Sequence, residues 1–219
     1  MKLPSIVFML LPLCFSAFAE DDIEALKKAA ESGDARAQYN LGRMYEEGRD
    51  VKQDYAEALR LFRMAAEQGY MEAVYCIGLM YDEGRGVSQD YVEAFKWFTR
   101  AAEQDLAKAQ YALGLMYKQG TGVKQNYSET LKWYLKAAQQ GDKIAQNDLG
   151  IMYDEGMGVK QDYAEAFKWY RKAALGGDYL GQYNLAVMYE EGLGVKQDKV
   201  EAEKWFKKAK ENGYEPAKE

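Results

Sequence analysis

The chain has 219 residues, of which 48% are hydrophobic and 29% are charged, a balance typical of a folded protein in water. Histidine is absent, which excludes catalysis and zinc binding by imidazole. The formal net charge of −6 and the pI near 5.0 argue against a nucleic-acid-binding protein, because such proteins ordinarily present a basic surface.

The first 19 residues have the pattern of a cleaved export signal. Lys2 precedes an apolar run over residues 6–15, and Ala17 and Ala19 supply the small residues that signal peptidase requires. The run is too short for a membrane-spanning helix, which needs roughly 20 apolar residues. We therefore predict a signal peptide over residues 1–19 and an exported protein. The expected compartment is the periplasm, and the alternative is the extracellular space.

Removal of this signal would leave Cys76 as the one remaining cysteine. A lone thiol cannot form a disulfide bond within its own chain, even in an oxidising compartment. Two interpretations therefore remain for Cys76. It is either a small buried side chain or a thiol that forms a bridge to another molecule.

After the signal, the sequence repeats with a period of 36 residues. A Met-Tyr pair recurs at this interval without any insertion, and a glycine follows three residues later. The tyrosines of these pairs are Tyr45, Tyr81, Tyr117, Tyr153 and Tyr189. We predict five full repeats over residues 34–213, with bounds 34–69, 70–105, 106–141, 142–177 and 178–213. Residues 20–33 match only the second half of a repeat and are predicted to form a capping helix, and residues 214–219 form a truncated tail.

Each repeat has the pattern of two helices. In the first repeat a helix near residues 35–47 carries an apolar stripe at helical spacing, and Gly48 is suited to a left-handed cap at its end. Asp54 is a good N-cap residue for the second helix. Glu57 follows three positions later, which completes a capping-box pattern that recurs in all five repeats.

Three recurrent residue types are interpreted as packing residues. A glycine inside a helix costs about 1 kcal/mol relative to alanine, so its recurrence in four first helices indicates close approach of another helix. These glycines are Gly42, Gly78, Gly114 and Gly150. A tryptophan recurs in four second helices, at Trp97, Trp133, Trp169 and Trp205, and is predicted to be buried rather than to bind a cofactor. The recurring methionines are interpreted in the same way.

The repeated string A-x-x-x-L-G-x-M-Y-x-x-G-x-G-V-x-x-D-Y-x-x-A-x-x-W-x-x-x-A-A-x-x-G resembles the Sel-1-like repeat, a relative of the tetratricopeptide repeat. Local departures are Asp50 and Asp105 in place of glycines, Leu61 in place of tryptophan, and Ala186 in place of a helix glycine. Aspartate can adopt left-handed conformations, so the first two departures are compatible with the loop geometry. The resemblance implies an all-α fold, a right-handed α-solenoid of antiparallel helix pairs with a concave groove.

The resemblance also implies a non-catalytic scaffold or adaptor that binds segments of partner proteins in that groove. Some secreted members carry cysteine pairs in every repeat and have been labelled β-lactamases, but a single mature cysteine places this chain outside that subgroup. No serine begins an S-x-x-K motif, and no Walker A loop is present. We predict no enzymatic activity, no cofactor, no metal, no nucleic-acid partner and no stable membrane insertion. The alternatives are binding of envelope glycan, and a β-lactamase-like or cell-wall hydrolase activity.

The resemblance places the first helix of each repeat along the groove, so these helices supply the candidate partner-binding residues. One offset holds Tyr39, Tyr75, Tyr111 and Tyr183, with Asn147 interrupting the row. These tyrosines are either binding anchors or packing residues between repeats. Acid pairs occupy the last turn of four first helices, at Glu46, Glu47, Asp82, Glu83, Asp154, Glu155, Glu190 and Glu191. The third repeat instead has Lys118, with Lys108 on the same helix.

Two interpretations of these charges are open. Each carboxylate at the negative end of a helix dipole costs about 0.3–1 kcal/mol, which favours a functional reason for keeping it. In the first interpretation, acidic ridges and a basic centre bind a partner segment by charge. In the second, the acids provide solubility and nearby cations neutralise them. These cations are Arg49, Arg85, Lys52, Lys160 and Lys196.

Overall fold

A computed structural model describes residues 20–215, which form eleven α-helices and no strand. The helices are α1 (Glu20–Glu31), α2 (Ala35–Glu47), α3 (Tyr55–Glu67), α4 (Met71–Glu83), α5 (Tyr91–Glu103), α6 (Ala107–Gln119), α7 (Tyr127–Gln139), α8 (Lys143–Glu155), α9 (Tyr163–Leu175), α10 (Tyr179–Glu191) and α11 (Lys199–Glu211). The predicted all-α fold is confirmed. None of these eleven helices is long and apolar enough to cross a membrane. The predicted signal peptide and the last four residues of the tail lie outside the described residues.

The helices form two compact units, which are described separately. Unit 1 contains α1–α5 together with residues 121–123, and unit 2 contains α6–α11. Within each unit the two helices of a repeat pack against each other, as in α2 with α3 and α8 with α9. The second helix also packs against the first helix of the next repeat, as in α3 with α4 and α9 with α10. Each unit is therefore a stack in which neighbouring helix pairs share a core.

The ends of the first helices form as predicted. Gly48 has φ 66°, and its backbone N–H donates to the carbonyl oxygen of Met44. The same left-handed glycine cap ends α4, α8 and α10. Asp50 and Asp105 adopt left-handed conformations with φ of 58° and 59°. The two aspartates that replace glycines therefore keep the loop geometry of the repeat.

The second helices begin as predicted at their N-cap residues, but the capping box is only half formed. The Asp54 carboxylate accepts hydrogen bonds from the backbone N–H groups of Ala56 and Glu57. The reciprocal bond is absent, because the Asp54 backbone N–H donates to the carbonyl oxygen of Tyr45 at 2.9 Å. The Glu57 side chain pairs with Arg60 instead. The N-cap residue thus also closes the loop that joins the two helices of a repeat.

The glycine inside the first helix permits direct contact with an aromatic ring. A Cβ atom on Gly150 would lie 2.4 Å from the ring of Tyr170 on the paired second helix. A Cβ atom on Gly114 would lie 2.6 Å from the ring of Tyr134. Both distances are far shorter than a carbon–carbon contact at optimal separation. The predicted close approach of the two helices is confirmed.

The tryptophans, methionines and cysteine are packing residues. Trp133, Trp169 and Trp205 are buried as predicted, whereas Trp97 is only partly buried. The Nζ atom of Lys172 lies 3.9 Å from the ring centroid of Trp169. The buried methionines are Met44, Met80, Met116, Met152 and Met188. Cys76 is also buried, and burial raises the pKa of its thiol to about 12. These positions agree with the interpretation of Cys76 as a buried side chain.

Candidate functional site

Two of the four predicted anchor tyrosines are buried by rings of their own repeat. Tyr75 is 8% exposed, and its ring centroid lies 5.5 Å from that of Phe98. Tyr111 is 7% exposed and stacks on Tyr134 at 5.2 Å. The rings of Tyr75 and Tyr111 therefore have little surface left for a partner. At these two positions the geometry favours packing over the anchor interpretation.

The other two tyrosines are only partly buried. Tyr39 lies 5.0 Å from the ring of Tyr70, and Tyr183 stacks on Tyr214 at 4.2 Å. Asn147, which interrupts the row, is buried and accepts a hydrogen bond from the side-chain amide of Asn184 at 2.9 Å. Within each unit the tyrosines of the row thus pack against neighbouring rings, and in unit 2 a polar pair stands at one of these positions.

In unit 1 the first acid pair is neutralised by arginines. Glu46 is 5% exposed, and its carboxylate lies 2.8 Å from Arg85 and 3.2 Å from Arg43. Burial raises the pKa of Glu46, and the two arginines oppose that change. Glu47 pairs with Arg43 and Arg49. The predicted neutralisation by Arg49 and Arg85 is therefore seen in this unit.

In the second acid pair of unit 1, Glu83 forms an ion pair and Asp82 forms none within residues 20–215. Glu83 lies 2.8 Å from Arg85. Asp82 is 2% exposed, and its Oδ2 atom has no hydrogen-bond partner among the described residues. Burial, together with the charge of Glu83, raises the pKa of Asp82 to about 6. Asp82 is therefore not displayed to a partner as the acidic-ridge interpretation supposed.

In unit 2 the acid pairs remain largely unneutralised. Glu155, Glu190 and Glu191 are exposed, and none forms an ion pair with any residue in the range 20–215. Asp154 is half-buried and accepts a hydrogen bond from the Tyr170 hydroxyl group at 3.3 Å. The loop lysines predicted to neutralise the acid pairs of the repeats, Lys52 in unit 1 and Lys160 and Lys196 in unit 2, form no ion pair in the described part of the chain. The predicted neutralisation by lysines is not seen.

The two predicted basic residues lie on α6 and face carboxylates of unit 2. The Nζ atom of Lys118 is 4.0 Å from the Oδ2 atom of Asp148 on α8. The Tyr111 hydroxyl group donates to the same oxygen at 3.2 Å. Burial raises the pKa of Asp142, and Lys108, which is exposed, lies near enough to that carboxyl group to oppose the rise. Lys118 is thus half of an ion pair rather than an isolated positive centre.

Asp148 was not among the residues predicted from the sequence. Its side chain is 14% exposed, and burial raises its pKa despite the nearby Lys118. The other four repeats have Asn40, Cys76, Ala112 and Asn184 at this position, so the carboxylate is peculiar to the fourth repeat. A comparison of the repeats position by position would have found it, because a charge at a largely buried position is costly for packing alone.

The polar side chains of unit 2 are mainly charged groups near helix ends. Within the described residues no group of three or more Cys, Asp and Glu side chains is placed to hold a metal ion. Exposed carboxylates of unit 2 stand at the carboxyl ends of α8 and α10, where the helix dipole is negative. Such groups attract a cationic ligand, and Asp148 with Lys118 forms a second polar feature on the first helices of the same unit.

A family model described as the Sel1 repeat matches the chain five times, at residues 35–70, 72–106, 107–142, 143–178 and 180–214. No curated protein matches. Among solved structures, a Sel1 repeat protein from Oxalobacter formigenes is 35% identical with a TM-score of 0.79, and the match covers 90% of this chain and 86% of that one. The neighbour supports the α-solenoid class of antiparallel helix pairs.

Two further solved structures are similar. The protective antigen c5321 of uropathogenic Escherichia coli, which displays an SLR fold, is 39% identical with a TM-score of 0.54; the match covers 88% of this chain and 49% of that one. A putative sel1 repeat protein from Klebsiella pneumoniae is 22% identical with a TM-score of 0.54, covering 87% and 93% of the two chains, which supports the fold alone. The chain belongs to the Sel1 repeat family.

Proposed function

We propose that this protein is an exported, non-catalytic scaffold that binds a basic segment of a partner protein through the acidic ends of the first helices in unit 2. Sel1 repeats generally mediate interactions between proteins. The observation that carries the proposal is the contrast between the two units. In unit 1 arginines form ion pairs with Glu46, Glu47 and Glu83. In unit 2 Glu155, Glu190 and Glu191 have no ion-pair partner in the described structure.

Unpaired carboxylates at a helix carboxyl end cost stability, because the aligned backbone carbonyl groups repel them. A bound lysine or arginine side chain would relieve this repulsion and gain an ion pair at the same time. Exposed pairs contribute little individually, but complementary charges steer association and select the partner. Binding of a basic partner would therefore account for the carboxylates that remain without a counter-ion in unit 2.

The acids of unit 1 are assigned to stability and not to partner binding. Glu46, Glu47 and Glu83 form ion pairs with arginines of the unit, so a basic partner would have to displace an internal cation to reach them. Asp82, the fourth acid, is buried. We assign these ion pairs to the stability of the stack. Among the acid pairs, the partner-binding role falls on Asp154, Glu155, Glu190 and Glu191.

Export is supported by the pattern of residues 1–19, with one lysine, a short apolar run and small residues before the cleavage point. The periplasm is the compartment we assign, and the extracellular space is the alternative. Cleavage can be checked by expressing the full chain in a bacterium and determining the N-terminus of the exported protein by mass spectrometry. A mature chain that begins at Glu20 supports the assignment, and an uncleaved cytoplasmic chain contradicts it.

The partner is sought by crosslinking and affinity capture of the exported protein, and its affinity is then measured against salt concentration. The triple variant E155Q/E190Q/E191Q should weaken binding about tenfold or more at low salt and flatten the salt dependence. The matched control E67Q/E103Q/E203Q removes three exposed carboxylates of the second helices and should bind as the wild type does. Equal losses in the two variants, or an affinity that salt does not change, would contradict binding by these acids.

An enzymatic function is tested by assays for turnover of two substrates. Purified protein is incubated with a chromogenic β-lactam and, separately, with cell-wall glycan. The scaffold proposal expects no turnover of either compound. Conversion of one of them at a rate proportional to protein concentration would overturn it.

A further inference from the structure

We propose that unit 2 contains an anchor site for a single cationic group, the guanidinium or ammonium group of one arginine or lysine side chain on the bound partner segment. The inference rests on the proposed function, since it names the chemistry of one contact that the partner makes. The anchor site consists of Asp148, Lys118, Asn147, Asn184, Tyr111 and Tyr134.

The anchor site is the place where departures from the repeat pattern meet. Lys118 stands where the other four repeats have an acid, Asn147 where they have tyrosine, and Asp148 where they have Asn, Cys or Ala. These three residues come from two helices, α6 and α8, yet Lys118 lies 4.0 Å from Asp148. Asn147 is hydrogen-bonded to Asn184 of the next repeat. A stack of identical repeats requires none of these substitutions, so their convergence indicates a local function.

Asp148 is incompletely neutralised by its own unit. The Lys118 ammonium group lies at the outer limit of an ion pair, and the Tyr111 hydroxyl group donates at 3.2 Å. Burial nevertheless dominates, so the pKa of Asp148 remains above its usual range. A cation in direct contact would gain a charge-assisted hydrogen bond in surroundings of low dielectric constant.

The hydroxyl group of Tyr134 is a second and independent sign of an incomplete site. Tyr134 is fully buried, and its hydroxyl group forms no hydrogen bond of normal geometry in the described structure. It nevertheless lies close enough to Asp148 to oppose, together with Lys118, the rise that burial causes in the pKa of that carboxyl group. Buried polar groups without a partner are rare in folded proteins. A ligand that shifts the Asp148 carboxylate could complete this bond.

The charges around the anchor site select a cation over an anion. Burial raises the pKa of Asp142 and of Asp178, and the nearby Asp148 adds to both rises. Lys108 lies near Asp142 and Lys143 near Asp178, where each lysine opposes the rise in pKa that burial causes. The cation beside Asp148 is Lys118, whose ammonium group stays 4.0 Å away. The three lysines match the three carboxyl groups in number, so the preference for a cation rests on Asp148, whose own counter-ion is not in close contact.

The exposure of the anchor site limits the ligand to one small group. Asp148 is 14% exposed and Lys118 is 27% exposed, whereas Tyr111 and Tyr134 are buried beneath them. A guanidinium or ammonium group could replace the Lys118 ammonium group beside Asp148, and Lys118 would then turn toward solvent. A stacked sugar ring would need an exposed aromatic face, and both rings of the site are covered.

The test titrates the protein with N-acetyl-L-arginine amide and N-acetyl-L-lysine amide, and with N-acetyl-L-glutamine amide as the neutral control. Binding is followed by NMR signals of the side-chain amides of Asn147 and Asn184. The two cationic probes should shift these signals with saturation, and the neutral probe should not. In D148N and in D148A, which introduces the residue of the third repeat, binding should be weakened at least about tenfold. E203Q removes an exposed carboxylate of α11 and should bind as the wild type does.

A second variant separates the anchor site from general attraction by acids. K118M removes the competing internal cation, so it should tighten binding of the arginine probe severalfold. Circular dichroism and the thermal midpoint confirm that each variant is folded, and D148N serves if D148A does not fold. No response to any probe, equal binding in D148N, or weaker binding in K118M would overturn the inference. Because these probes need no partner protein, such a result would leave the salt-dependent partner binding of the proposed function standing.

Discussion

The Arg85 guanidinium group lies 2.8 Å from the Glu46 carboxylate, although 39 residues separate them in the chain. Glu46 lies in the last turn of α2 in the first repeat, and Arg85 follows α4 in the second, so the ion pair joins two consecutive repeats of unit 1. Glu46 is 5% exposed, whereas both members of the Arg60–Glu57 pair on α3 are substantially exposed to solvent. Burial makes the first pair the one whose disruption is costly, because removing one partner leaves a charge without water.

We expect Arg85→Met to lower the free energy of unfolding by about 2–4 kcal/mol, since Glu46 would keep only Arg43 as a counter-ion. Chemical denaturation measures the change. Arg60→Met is the matched control and should cost at most about 1 kcal/mol, because its pair is exposed. A control variant that loses as much stability as Arg85→Met would show that burial of Glu46 is irrelevant.

Asp82 should make the protein less stable as the pH rises. Its pKa is about 6 in the folded chain and 3.8 in the ordinary, solvated state, so the folded state binds the proton more tightly. The contribution of Asp82 to the free energy of unfolding therefore decreases between pH 3.8 and about 6 and stays reduced above that range. Asp82→Asn should remove this slope and raise stability near neutral pH by about 1–2 kcal/mol.

The measurement for Asp82 is a series of denaturation curves across this pH range for the wild type and the variant. Glu203→Gln, which changes an exposed carboxylate, should leave the slope as it is. Parallel curves for the wild type and Asp82→Asn would refute the assignment.

Gly150 should tolerate no side chain. Alanine there would place its Cβ atom 2.4 Å from the Tyr170 ring, so α8 and α9 would have to separate. We expect Gly150→Ala to reduce stability by about 1–3 kcal/mol, although alanine is the better helix former. Gly176→Ala is the control, because φ is −73° there and the nearest non-neighbouring atom would lie 3.3 Å away. A stabilised Gly150→Ala variant would disprove the close contact.

Cys76 should resist modification in the folded protein. The thiolate is the reactive form, and burial raises the pKa of Cys76 to about 12. Alkylation by iodoacetamide, followed on the Cys76 peptide by mass spectrometry, should be at least about a hundredfold slower than in denaturing urea. Rapid labelling of the native chain would support the competing interpretation, in which the thiol forms a bridge to another molecule.

The sequence by itself determined the repeated architecture. An uninterrupted period of 36 residues specifies the same caps, glycines and aromatic residues in each repeat, and each of these acts on neighbours within one or two repeats. Gly48 and Asp54 could therefore be assigned as caps from the repeat pattern alone. Only the reciprocal capping-box bond failed, because the Asp54 backbone N–H is used by the carbonyl oxygen of Tyr45.

Only the tertiary structure decided which of the conspicuous charges are available. Glu46 and Glu190 occupy the same position in their repeats, yet Glu46 is buried against Arg85 and Glu190 is exposed without a counter-ion in the described chain. The difference depends on side chains from another repeat, which a periodic pattern does not specify. For the same reason Asp148 was not predicted, since its significance lies in its contacts with Lys118 and Tyr111. Burial and pairing are properties of the assembled stack, whereas helix ends and spacing are local properties of the chain.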